Sequence, residues 1–156
     1  MGSFIGAKVE AQRLNSLKSQ YQFQSLILNA KKETITAKMG GIQASYSESK
    51  TKIDRWNNAS EDNRLNLYKN DVNNFYHDLT KNVASDKIKC TQITVNSDYT
   101  SDKNYVQYEA EDEYIDTRID NLESLLTLLD TQIKHTENLE QNGIKDNSWW
   151  CVGGGN

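Results

Sequence analysis

A seven-residue apolar rhythm governs both ends of this chain. Ala7, Leu14, Tyr21, Leu28, Ile35, Ile42 and Trp56 fall on one phase, missed only at Ser49. Toward the C-terminus Tyr105, Tyr108, Ile115, Ile119, Leu122, Leu126, Leu129 and Ile133 alternate steps of three and four residues, with Asp112 as the only break. An α-helix returns to the same side about every 3.6 residues, so this spacing draws an apolar seam along one side of each helix, and such a seam needs a helical partner. The pairing residues are expected to be Leu14, Tyr21, Leu28, Ile35 and Ile42 from the first helix. Ile115, Ile119, Leu122, Leu126, Leu129 and Ile133 are expected from the last.

Nothing in the composition opposes long helices. The 156 residues contain no proline, against an average use of roughly 5%, so no internal breaker interrupts a helix. With 36% hydrophobic residues and a mean hydropathy of −0.81 the chain can bury a modest core within a single domain, 1–156. The fold expected is mainly α, an elongated antiparallel helical hairpin or a bundle of three to four long amphipathic helices with a small extended or β insert.

The first helix is read over residues 3–56, with Leu17, Phe23, Leu26 and Ile27 widening its apolar face beyond a narrow seam. A wider face implies more than one neighbour. Gly40-Gly41 would ordinarily stop a helix, yet Met39, Ile42, Tyr46, Ile53 and Trp56 keep the phase across the pair. Either the helix breaks at 40–41, or it continues, with the backbone closely approached there; the continuous or kinked helix is preferred.

Ser60 followed by Glu61 and Asp62 is a helix start, and a middle helix is read over 60–84 with Leu65, Tyr68, Val72, Phe75 and Leu79 as its stripe. Residues 86–100 form an extended insert, in which the β-branched run 88–95 reads as a strand that pairs within or between chains, or else as simply an extended loop. Ser101 or Asp102 caps the final helix, 101–142, and Gly143 is placed to end it. In the tail, 143–156, the adjacent Trp149 and Trp150 cannot both be satisfied by one helix face, so they are read as tail anchors of which at least one is expected to find a pocket.

Charge is divided along the chain. Residues 1–56 hold nine basic and four acidic side chains, 57–97 hold five of each, and 98–156 hold four basic and thirteen acidic. Pairing the two ends therefore sets a basic helix beside an acidic one, unless the segregation only solvates the helices. The basic end is diluted by Gln, Asn and Ser, which argues against a nucleic-acid partner. No stretch approaches the roughly 18 apolar residues of a membrane span, and no leader-like segment opens the chain, so a cytoplasmic, virion or leaderless-export setting is expected. Cys90 and Cys151 lack metal spacing and are expected as free thiols. His77 and His135 have no ligand-spaced partners, and no phosphate loop, nucleophile elbow or dinucleotide fingerprint occurs, so no catalytic, metal or cofactor site is expected.

The terminal heptads at 7–42 and 105–133, flanking the insert near 86–100, give the chain a layout that resembles flagellins and the filament and needle-associated proteins of type III-like secretion systems. Phage and virus structural subunits are similar in layout. The resemblance implies a self-assembling structural subunit whose partners are copies of itself. A different class of function, a helical adaptor or secretion chaperone that binds another helical protein, uses the same seams.

Overall fold

In the computed structural model the backbone is described for residues 2–154 and the side chains for residues 5–142. The elements are α1 (Gly2–Asn58), α2 (Glu61–Lys69), α3 (Phe75–Leu79), a 3-10 turn at Ser85–Cys90, a second at Tyr99–Ser101, and α4 (Lys103–Gly154). The protein is mainly helical, and α1 and α4 pack together as the two arms of a helical hairpin. Its residues form two compact units, the first comprising 1–36 and 110–156, the second 37–109.

α1 is continuous through Gly40 and Gly41. The close approach expected there is absent: a methyl group built on either glycine would meet nothing within 4 Å. α4 likewise runs through Gly143 rather than ending before it. The expected anchors Trp149 and Trp150 lie outside the described side chains.

In the first unit the hairpin is antiparallel, since Lys18 pairs with Asp130 and Lys32 with Asp112 and Asp116. Leu14, Leu129 and Ile133 form a buried cluster against which Leu17 and Tyr21 pack. Burying an aliphatic side chain of this size stabilises by roughly 1.5–3 kcal/mol, so this cluster contributes several kcal/mol to holding the arms together.

The second unit departs from the sequence reading in two places. The first concerns residues 60–84, which are two helices and not one. Ser60 caps α2 as expected, accepting from the Asn63 amide, but the helix stops at Asn70. Asn74 then adopts the left-handed conformation at φ 57°, which Asn tolerates better than most residues. Asp71 restarts the chain by accepting from the backbone amides of Phe75 and His77 at 2.9 Å each. Val72, expected on the apolar stripe, is 90% exposed in this connection.

The second correction is the insert. Residues 88–95 form no strand: a 3-10 turn covers Ser85–Cys90 and the backbone beyond it is extended without a ladder. Side chains supply what a neighbouring strand would have supplied. Asn57 donates to the Ile93 carbonyl and accepts from the Ile93 amide, both at 2.9 Å, so one carboxamide imitates a strand edge. Trp56 Nε1 donates to the Thr91 carbonyl at 2.8 Å. The β-branched run is used for burial instead: Ile88 and Ile93 close over Trp56 and Tyr76.

Trp56, with no exposed surface, is the centre of that core. Its ring stacks on Tyr76 at 5.0 Å, Tyr76 meets Phe75 edge-on at 5.2 Å, and the Tyr76 hydroxyl donates to the Lys52 carbonyl. Arg64 is buried without a carboxylate; its guanidinium donates instead to the carbonyls of Trp56, Asn57 and Lys89. Two of these belong to the last turn of α1, whose carbonyls have no intrahelical partner. A cation is favoured at that end of a helix dipole, so Arg64 acts as the C-terminal cap of α1.

Candidate assembly surface

The residue pattern of the first unit extends the heptad reading. In α1, Ala7, Ala11, Leu14, Lys18, Tyr21, Ser25, Leu28, Lys32 and Ile35 are all buried or half-buried, at strict steps of four and three. In α4 the same alternation joins Asp112, Ile115, Ile119, Leu122, Leu126, Leu129, Ile133 and Thr136. The residues expected from the sequence as pairing residues in this unit are all buried or half-buried, and Ile42, in the second unit, is half-buried. Sequence reading missed the polar members. Lys18 and Lys32 occupy seam positions in α1, and the lone break in α4, Asp112, accepts from Lys32 Nζ at 3.0 Å.

One of those ion pairs, Lys32 with Asp112, bears on the alignment of the arms. Lys18 and Lys32 stand fourteen residues apart, as do their partners Asp130 and Asp116. Sliding one helix by a single heptad would still offer Lys18 an acid, Glu123 or Glu137, but would set Lys32 against Tyr105 or Ile119 in place of the seam residue Asp112, so the Lys32–Asp112 pair selects one register. Hydrogen bonds that Lys32 donates first to Asp116 and then to Asp112 hold its ammonium above its ordinary pKa, which keeps it charged. The signal was legible: seam-phase cations in one helix and acids in the other at a matching interval.

Beyond the seam the hairpin of the first unit has two unlike broad sides. Residues one position before each seam residue face one side in both helices because the arms are antiparallel. Ile27, Lys31 and Thr34 thereby meet Glu111, Tyr114 and Arg118 around a groove of about 590 Å³. Farther along, Glu10 and Arg13 meet Gln132, His135 and Leu139. This side exposes Ile27, Tyr114, Leu125, Leu128 and Leu139 at 39–63% of their surface, with Leu17 half-buried among them. Its charges are few and mixed: Glu10, hydrogen-bonded to Arg13, together with Lys31, Glu111 and Arg118.

Residues one position after each seam residue form the opposite side. In α4 these are Glu113, Asp116, Asp120, Glu123, Asp130 and Glu137, joined by Glu33 of α1, against Lys8 and Lys134. Seven acidic and two basic groups make this side strongly negative.

In the second unit, His77 Nδ1 lies 2.9 Å from Asp71 Oδ2 and the imidazole stacks on Tyr68 at 3.9 Å. Burial pushes the Asp71 carboxyl up, but the His77 ring and the amides of His77 and Phe75 outweigh it and hold it below the ordinary carboxylate range. The same carboxylate caps α3, so this constellation is committed to the helix start. Among the described residues no three His, Cys, Asp or Glu side chains converge as a metal site, and no helix is long and apolar enough to cross a membrane. Cys90, a free and exposed thiol, donates to Glu61 at 3.3 Å, and that carboxylate is the first cause of its raised pKa. No known protein family, curated protein or solved structure matches the chain.

Proposed function

We propose that this protein is a structural subunit that works by assembling with copies of itself through helix packing, as a component of a filament, a secretion apparatus or a virion, and not as an enzyme. The observation that carries the reading is the exposed apolar side of the first unit. Five large apolar side chains lie exposed on one side of the hairpin, whereas the other side is acidic with Leu26 as its exposed large apolar residue among those described. Concentrated apolar surface rimmed by polar groups is the mark of an interaction site. The polar groups near the second unit's core, Arg64, Asn57 and Asp71, are occupied in closing the insert and the helix ends, which supports a mechanical role for that unit.

Sedimentation velocity of the full chain across a range of concentrations, with negative-stain microscopy of the same samples, tests the reading. Association into dimers, larger particles or filaments is the expected result. A chain that stays monomeric at high concentration and instead forms a discrete complex with one other helical protein would replace this reading with that of an adaptor.

A further inference from the structure

Resting on the assembly reading, we infer that the apolar side of the first unit docks against the same side of a second copy, closing two hairpins into a four-helix bundle. The heptad content of α4 carries the argument. Between positions 119 and 129, Ile119, Leu122, Leu125, Leu126, Leu128 and Leu129 are apolar. A two-helix seam uses two positions in seven, whereas a helix facing the core of a bundle uses about three. Ile119, Leu122 and Leu129 are buried in the seam and Leu126 half-buried, while Leu125 and Leu128 remain 39% and 53% exposed. The third apolar position is thus made but not used within one hairpin.

Charge and area select a second copy as the occupant. Two acidic sides would confront seven carboxylates with seven, two of each seven already paired to Lys18 or Lys32, whereas the apolar sides carry three basic and two acidic groups each and can meet without strong repulsion. From Tyr114 to Leu139 the side runs about 38 Å at 1.5 Å per residue, and two packed helices are about 20 Å wide. The product, roughly 750 Å², approaches the ~800 Å² that each partner contributes to a standard stable interface.

The test is sedimentation equilibrium on the full chain as wild type, as L125D/L128D, and as D120N on the acidic side. Wild type and D120N should associate alike, while L125D/L128D should weaken association by on the order of 100-fold or more with helix content by circular dichroism unchanged. Should the aspartates reduce helix content, L125Q/L128Q carries the same readout with a good helix former at both sites. Wild-type association that survives these substitutions undiminished would overturn the bundle and leave the assembly reading standing. A wild type that is monomeric, or associates only in a complex with a different protein, would overturn both.

Discussion

Replacing Gly40 and Gly41 together with alanine should stabilise the protein. Both glycines lie inside α1, neither has a positive φ, and a methyl group at either position meets nothing within 4 Å. The substitution therefore introduces no clash, while glycine in a helix interior costs about 0.8–1 kcal/mol relative to alanine, largely because the unfolded chain loses freedom when the methyl is added. Two sites give about 2 kcal/mol. At about 2–4 °C per kcal/mol for a chain of this size, the double variant should melt roughly 4–8 °C higher by circular dichroism, with each single variant near half of that. A lower melting temperature, or a gain confined to one site, would show that something in the folded protein approaches or bends the helix at the glycines, and the reasoning from open space would fall. If the melting temperature rises while sedimentation reveals lost association, the glycines face a neighbouring copy.

Asn57→Ala should destabilise by about 2–4 kcal/mol in urea titration, because it leaves both the amide and the carbonyl of Ile93 without partners; a cost below about 0.5 kcal/mol would mean that water replaces the carboxamide. K32L/D112L should keep helix content yet yield more than one set of backbone amide signals by NMR, since the groups that select the register are gone; one sharp set identical in pattern to wild type would show that the apolar seam suffices. Asp71 has a lowered pKa when folded, so the unfolded chain binds the proton more readily and stability falls as pH drops below about 4. Melts between pH 7 and pH 3 should show that fall, and it should be smaller in D71N; equal pH dependence in both proteins would remove Asp71 as a cause. Leu122→Asp, which sets a charge in the buried seam, should cost several kcal/mol, whereas Glu123→Gln should be nearly silent; equal tolerance would refute the seam.

What the sequence determined by itself was the periodic part. Three-and-four spacing is a property of one helix and needs no knowledge of the rest of the chain, so the two long helices, their seam from Leu14 to Ile35 and from Ile115 to Ile133, and the Ser60 cap could all be read from residues alone. Of the residues read as widening the face of α1, Leu17 is half-buried while Phe23, Leu26 and Ile27 are exposed.

Tertiary structure decided everything that depends on residues distant in the chain. The run 88–95 has the composition of a strand, but composition cannot say whether the bonding edge is another backbone or the carboxamide of Asn57, thirty-six residues from Ile93. Phe75 and Leu79 continue a helical phase from Leu65, yet Asp71 captures the amides of Phe75 and His77 and starts a new helix, because a side-chain acceptor competes locally with the helix's own carbonyls. Asp112 looked like a fault in the seam until Lys32 stood opposite it. A lone buried charge is costly and a paired one specifies alignment, so the meaning of that residue lay in its partner, which only the folding of one arm onto the other could supply.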